Sequence, residues 1–273
     1  MKSYQAIKVE KEDGIGWVIL NRPEKRNAMT PQMHFEMDEV LPLLEADPEV
    51  KCIILTGAGE SFCAGQDLNE FFRKLEGKPY EMKMASAAAD RWRWDWLYKN
   101  DKPTIAMVNG YCFGGAFTAL CACDFALAAD DAKMGLSEVN WGGMPAALVA
   151  RAITEAVGYR TALDICCTGR VFTGKEAAEM KLVNRAVPRA KLREETVAFA
   201  KMLMEKDPEA LRATKQAVKF VQRMDFMQAY DYLMAKNSEL RFRGKDSRQA
   251  GFKAFLDDKT YKPGMGSYTE KKA

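Results

Sequence analysis

The chain has 273 residues, 48% of them apolar and 29% charged, with 41 basic and 38 acidic side chains that leave a net charge of +3. This length and apolar content suffice for a large core and predict one α/β domain with an appended helical part. Interleaved charges of nearly balanced sign argue against a nucleic-acid binder, the apolar runs are too short and interrupted to span a bilayer, and the start Met1-Lys2-Ser3-Tyr4-Gln5 has no apolar h-region and predicts no signal peptide.

Seven cysteines, an odd number, fall mostly within apolar runs (Cys52, Cys121, Cys123, Cys166, Cys167) and read as buried free thiols in a reducing, cytoplasmic compartment. None has paired zinc-ligand spacing, and the single histidine, His34, falls on a predicted helix as a surface or half-buried residue without a role. A His-containing metal site or a His-activated nucleophile is therefore not expected, and the chemistry falls to carboxylates, hydroxyls and backbone.

Residues 5–20 alternate into Ile15-Gly16-Trp17-Val18-Ile19-Leu20 and predict a hairpin turning at Asp13-Gly14. A polar, proline-bearing loop follows, in which Lys25 and Arg26 read either as solvated charge or as partners of an anionic ligand. Thr30 is a helix N-cap with Pro31 at the first helical position, and a helical period runs over 34–45. Cys52-Ile53-Ile54-Leu55-Thr56-Gly57 is a short buried strand, after which Phe62-Cys63-Ala64-Gly65-Gln66-Asp67-Leu68 leads through small residues into a helix. Residues 69–100 are charged and helical; on a helix Trp92 and Trp96 share a face while Trp94 points away, which fits packing or an aromatic wall over a pocket.

The same strand, small loop and helix recur where Pro103-Thr104-Ile105-Ala106-Met107-Val108-Asn109 feeds Gly110-Tyr111-Cys112-Phe113-Gly114-Gly115 and a helix over 116–123. This turn lacks both the Lys-Ser/Thr of a P-loop and the spacing of a dinucleotide fingerprint, so an oxyanion is the better candidate than a phosphate. Two such loops side by side at the carboxyl ends of strands give two converging N–H groups, the geometry of an oxyanion hole. Another buried strand, 124–129, precedes Gly135-Leu136-Ser137-Glu138-Val139-Asn140-Trp141-Gly142-Gly143. Glu138, set among apolar neighbours, is the candidate acid or base, with a pKa raised by burial. Helices are predicted over 147–157, 162–168 and 175–180, a short strand over 182–188, and helices over 193–206, 208–224, 226–243 and 247–256. No low-complexity linker and no 20–50-residue repeat is present, and the boundaries read as 1–192 for the core with the site and 193–273 for the helical region.

These residues together resemble the enoyl-CoA hydratase/isomerase (crotonase) superfamily. The likeness is carried by Asn21-Arg22-Pro23 with Asn27-Ala28-Met29, by the segment from Phe62 to Leu68, by the run from Lys102 to Gly110 with Gly114-Gly115, and by Gly135-Leu136-Ser137-Glu138. Within the superfamily the chain is most similar to the hydroxycinnamoyl-CoA (feruloyl-CoA) hydratase-lyases, through Gly110-Tyr111-Cys112-Phe113-Gly114-Gly115, Ser137-Glu138-Val139-Asn140-Trp141-Gly142 and Phe255-Leu256-Asp257-Asp258-Lys259.

The resemblance implies an α/β spiral of ββα units with a C-terminal helical region that builds trimers or a dimer of trimers. It implies an oxyanion hole from the backbone N–H groups of Gln66 and Gly115. It sets coenzyme A against Lys25, Arg26, Ala28, Ala64, Asp67 and Leu68, with a neighbouring subunit's Phe255 and Lys259 near the nucleotide end. Glu138 is then the acid/base group, Thr118 stands where ordinary hydratases have a second glutamate and the hydratase-lyases usually have Ser, and Phe71, Trp141 and Met234 line the acyl pocket. The implied activity is addition of water to an aromatic enoyl-CoA, with or without retro-aldol cleavage to an aldehyde and acetyl-CoA. The alternatives are a single-glutamate hydratase or isomerase on a non-phenolic acyl-CoA, and a catalytically silent scaffold or RNA-binding protein on the same fold. No cofactor beyond the coenzyme A of the substrate is expected, and no nucleic-acid or membrane partner. The hydratase-lyases place tyrosines where Phe71 and Met234 stand, which predicts a more apolar acyl pocket here.

Overall fold

The structure, a computed structural model, describes residues 2–262. Asp13 and Gly14 both take positive φ (51° and 80°), as a two-residue hairpin requires, and join β1 (Ile7–Glu12) to β2 (Ile15–Leu20) in antiparallel register as predicted. Chain order then gives β3 (Cys52–Gly57), β4 (Ser61–Cys63), β5 (Thr104–Val108), β6 (Tyr111–Phe113), β7 (Phe125–Ala129), β8 (Lys133–Gly135), β9 (Val171–Thr173) and β10 (Arg185–Val187). Six of them form one sheet in the order β1-β2-β3-β5-β7-β10, and four form a second in the order β4-β6-β8-β9. β3 and β5 are buried throughout, which is why they read as unbroken apolar runs: parallel strands covered on both faces leave no polar side to alternate. The edge strand β1 carries Lys8, Glu10, Lys11 and Glu12, which discourages pairing with another chain.

Strands of the large sheet alternate along the chain with strands of the small one. β3 leads into β4, β5 into β6 and β7 into β8, each pair followed by helix, so the fold is a spiral of ββα units. β4, β6 and β8 are parallel neighbours, and their carboxyl ends therefore open side by side. The loops that the sequence singles out, at Gly65-Gln66, Gly114-Gly115 and Ser137-Glu138, follow these three strands.

The helices are α1 (Pro31–Ala46), α2 (Pro79–Asp90), α3 (Ala116–Ala122), α4 (Val149–Val157), α5 (Tyr159–Thr168), α6 (Gly174–Glu179), α7 (Leu192–Met204), α8 (Pro208–Val221), α9 (Phe226–Arg243) and α10 (Lys245–Leu256). α1 starts where predicted: Thr30 Oγ1 accepts from the Met33 N–H at 3.2 Å, with Pro31 in the first turn. Leu68–Arg73 and Arg91–Leu97 are π-helical rather than α-helical. α4 begins at Val149 instead of 147, because Ala147 and Leu148 adopt left-handed backbone (φ 52° and 67°) that no helix continues. The three-residue strands β4 and β6 fall in stretches read from sequence as small-residue loops, and β9 in one given no element. Cys167 is exposed and Cys121 and Cys166 are partly so, contrary to the reading of these three as buried.

The chain divides into two compact units, residues 1–198 and 199–273, with the division inside α7. In the second unit Arg212 joins α8 to α9 through Glu239 (2.7 Å), and Asp207 and Asp225 cap the two helices. α9 keeps Phe226, Met227, Tyr230 and Met234 exposed.

Asn27 fixes the loop that precedes α1. It is fully buried; its Oδ1 accepts from the Arg22 N–H at 2.9 Å, and its Nδ2 donates to the carbonyls of Ala58 (2.9 Å) and Ser61 (2.7 Å). Asn27→Ala leaves those groups unpaired in a dry site and is expected to cost about 2–3 kcal/mol in urea unfolding. A change within the error of the measurement would mean that the loop is held by other contacts.

Candidate active site

Two loops are laced together at the carboxyl end of β4. The Ala64 N–H donates to the Arg26 carbonyl (2.9 Å), Met29 N–H to the Gly65 carbonyl (2.8 Å) and Asp67 N–H to the Met29 carbonyl (2.9 Å). Met29 and Gln66 thus pair as in a parallel sheet, a pattern that spends the Gly65 carbonyl and the Asp67 N–H on either side of Gln66 and turns the Gln66 N–H the other way. Arg22 clamps the arrangement, its Nη1 donating to the Ala28 carbonyl (2.6 Å) and to Asp67 Oδ2 (2.9 Å). Five of the residues assigned to coenzyme A, Arg26, Ala28, Ala64, Asp67 and Leu68, are brought together here, with Lys25 exposed on the same loop. Arg26 lies over the Tyr111 ring, 4.5 Å from its centroid.

The Gly114-Gly115 turn comes up against this pair. A Cβ on Gly65 would stand 2.8 Å from the Phe113 carbonyl and 3.2 Å from the Gly115 nitrogen, and Gly65 also has φ +92°. A Cβ on Gly115 would stand 3.3 Å from Met29 Cε and 3.6 Å from the Gln66 nitrogen. At Gly65 only glycine permits this approach. Gly114 N–H is taken by the Gly135 carbonyl (3.1 Å), whereas the N–H groups of Gln66 and Gly115 have no acceptor among the described residues. Two preorganised donors are left facing a common space, as an oxyanion requires.

That space is a cavity of about 400 Å³ in the first unit. Ala64, Gln66, Leu68, Phe71, Gly115, Glu138 and Trp141, all singled out in the sequence, line it. Glu138 opens a short 3₁₀ turn, Glu138–Trp141, and its Oε1 lies 3.2 Å from where a Gly114 Cβ would be. Its Oε2 is buried without a partner, and burial raises its carboxyl above the ordinary 4.5. Thr118 is fully buried in α3 and donates its hydroxyl to the Gly115 carbonyl at 2.6 Å. It steadies the turn that carries a donor. Met234, Phe255 and Lys259 belong to the second unit, where each is exposed.

Phe71, Phe72 and Phe113 give the cavity apolar surface, and Ser86, Asp90 and Arg93 also line it. The tryptophans pack rather than roof a pocket. Trp92 and Trp96 do share a face, turned to α1, where Trp92 Nε1 donates to His34 Nδ1 (3.0 Å) and Trp96 Nε1 to Asp38 Oδ1 (2.9 Å). His34 is fully buried, not a surface or half-buried residue. Because Trp92 can only donate, Nδ1 must accept, and the His34 proton sits on Nε2, which donates to Gln66 Oε1 at 2.9 Å. The signal for this burial was present in the spacing His34, Met37, Leu41, Leu44, one face of a helix.

Residues 10–273 match the enoyl-CoA hydratase/isomerase family. The chain belongs to that family. It is 49% identical over 267 residues, 97% of each chain, to a hydroxycinnamoyl-CoA hydratase-lyase of Pseudomonas fluorescens, and 34% identical to a putative enoyl-CoA hydratase of Thermus thermophilus, covering 92% of this chain and 97% of that one. Among solved structures, the enoyl-CoA hydratase of Bacillus anthracis superposes with a TM-score of 0.84 at 28% identity, covering 93% of this chain and 97% of that one. The crotonase spiral described above is thus the fold of an enoyl-CoA hydratase/isomerase family member.

Burial, and after it the Arg93 charge, hold the His34 imidazole well below its ordinary 6.5. As pH falls through 6.5 the unfolded chain takes up a proton that the folded one refuses, so stability is lost on acidification, by at most about 1.4 kcal/mol per pH unit. Since His34 is the only histidine, His34→Gln is expected to flatten the pH dependence of urea unfolding between pH 5 and 6.5. An unchanged slope would contradict the buried neutral imidazole.

Proposed function

We propose that the protein adds water to an aromatic enoyl-CoA of the hydroxycinnamoyl type and then cleaves the adduct to an aldehyde and acetyl-CoA. The observation that carries the reading is a buried, unpartnered carboxylate oxygen, that of Glu138, beside two unpaired N–H groups, those of Gln66 and Gly115. The 49% identity to a hydroxycinnamoyl-CoA hydratase-lyase over nearly the whole chain supports the substrate class.

The thioester oxygen accepts from Gln66 and Gly115, so that negative charge flows onto it when a nucleophile reaches Cβ. Glu138 as carboxylate removes a proton from water, and the hydroxide adds to Cβ. The resulting enolate takes that proton back at Cα from Glu138, giving the β-hydroxyacyl-CoA. Glu138 then removes the β-hydroxyl proton; the Cα–Cβ bond breaks, an aldehyde leaves, and the acetyl-CoA enolate is protonated at Cα. One group serves each transfer in turn because burial brings its pKa towards the working pH. Lys25, Arg26, Ala28, Ala64, Asp67 and Leu68 receive coenzyme A at the mouth, and the reading needs no further cofactor.

The protein is further proposed to work as a trimer or dimer of trimers in the cytoplasm, with Phe255 and Lys259 reaching a neighbour's nucleotide. The apolar residues left exposed on α9 and α10, among them Phe226, Met227, Phe252 and Phe255, support a subunit interface. No helix among the described residues is long and apolar enough to cross a membrane.

Glu138→Gln keeps shape and removes the proton carrier; turnover of 4-hydroxycinnamoyl-CoA is expected to fall about 10²–10⁴-fold with product binding little changed. Mass spectrometry of the wild-type reaction should show acetyl-CoA and 4-hydroxybenzaldehyde. Because the folded state holds the Glu138 proton more tightly than the unfolded one, wild-type stability declines as pH rises from 4.5 through the raised pKa. Glu138→Gln is therefore expected to melt no lower than wild type at neutral pH. A fully active variant removes Glu138 from the reaction, and a hydrated product without aldehyde removes the cleavage step.

A further inference from the structure

The reaction proposed above leaves one buried cavity-lining charge, Arg93, unused. Residues lining the cavity differ sharply in exposure: Leu68 and Trp141 are 62% exposed and Met144 72%, whereas Phe71, Ala89, Arg93 and Val149 are at most 5% exposed. The first set marks the mouth and the second the closed end. With Trp92 and Trp96 tied to α1, the residue after Trp92 is turned to the cavity, and a guanidinium is carried to its floor.

This guanidinium is poorly satisfied. Its Nη2 meets only the weak acceptor Met29 Sδ at 3.5 Å, it stacks on the Trp92 ring at 5.0 Å, and its buried Nε has no partner. Among the described residues no carboxylate forms an ion pair with it; Asp90, exposed at the cavity wall, acts only at longer range. Burial draws Arg93 down to about 10, which leaves it a cation at neutral pH. An uncompensated buried charge is among the costlier features a fold can keep, and a planar guanidinium is suited to two parallel bonds with a planar oxyanion. Phe71, Phe72 and Phe113 supply apolar surface for a ring on the way in.

We propose that Arg93 is a specificity-determining residue that selects acyl groups whose far end carries an anionic oxygen, a carboxylate or a phenolate, gripped by its guanidinium at the floor of the cavity. The inference rests on the acyl-CoA reading above. It amends the expectation of a more apolar pocket: the oxygen partner comes from a cation on the π-helical turn.

The test compares cinnamoyl-CoA, 4-hydroxycinnamoyl-CoA and 4-carboxycinnamoyl-CoA in wild type, Arg93→Met and Arg93→Lys. Wild type is expected to prefer at least one oxygen-bearing ester, the two arms separating phenol from carboxylate. Arg93→Met should lose about 10–100-fold in kcat/KM for the preferred ester, with cinnamoyl-CoA little affected and Arg93→Lys intermediate. Ligand-free Arg93→Met should melt no lower than wild type, since a buried charge is removed, whereas a structural arginine would lower Tm. An equal loss on all three esters, or a wild type indifferent to the oxygen, overturns the proposal. Calorimetric binding of 3-(4-carboxyphenyl)propanoyl-CoA against 3-phenylpropanoyl-CoA decides the same question without turnover. If no enoyl-CoA reacts but Arg93 still discriminates between these two, the reaction fails and the assignment of Arg93 stands; if it does not discriminate, the assignment fails.

Discussion

The site depends on the close approach of two backbone segments, Gly65-Gln66 and Gly114-Gly115. A Cβ at Gly65 would press on the Phe113 carbonyl at 2.8 Å, so the segments meet only because no side chain intervenes. The approach is set by the fold: β4 and β6 are hydrogen-bonded neighbours, and their loops emerge from the same edge. Met29 then uses the Gly65 carbonyl and the Asp67 N–H, Gly135 uses the Gly114 N–H, and the donors left over are those of Gln66 and Gly115. β8, the next strand of that sheet, delivers Glu138 to the same space.

The surroundings of this space are satisfied almost everywhere else. His34 fills its two nitrogens with Trp92 and Gln66, Asn27 makes three bonds, and the Thr118 hydroxyl is spent on the Gly115 carbonyl. Such second-row bonds hold donors in place before substrate arrives, which is where electrostatic catalysis gains over water. Against that background the unpartnered Glu138 Oε2 and Arg93 Nε stand out. Both cost stability in the empty protein, and both line the cavity.

Much of this was legible in the sequence because it rests on local rules. Asp13-Gly14 specifies its hairpin, Thr30-Pro31 its helix start, and the runs 52–57 and 104–108 their buried strands. The glycine loops and Glu138 were legible for the same reason, since small residues after a strand have few other uses. What was not legible depends on partners distant in the chain. β4 and β9 are three residues long and exist through the strands beside them. Arg91–Leu97 is π-helical, and Arg93, which falls in the stretch read only as charged and helical, is buried by the fold. The Thr118 hydroxyl bond to the Gly115 carbonyl, three residues back, was likewise not legible, since Thr118 entered only through resemblance.

The central claim is that a thioester oxygen sits between the N–H groups of Gln66 and Gly115 with Glu138 above the reacting carbons. A crystal structure with bound 3-(4-hydroxyphenyl)propanoyl-CoA, which lacks the reactive double bond, tests it most directly. The account predicts the thioester oxygen within about 3 Å of both nitrogens and the Glu138 carboxylate facing Cα and Cβ. A thioester oxygen bonded elsewhere, with those two N–H groups still unfilled, would contradict it.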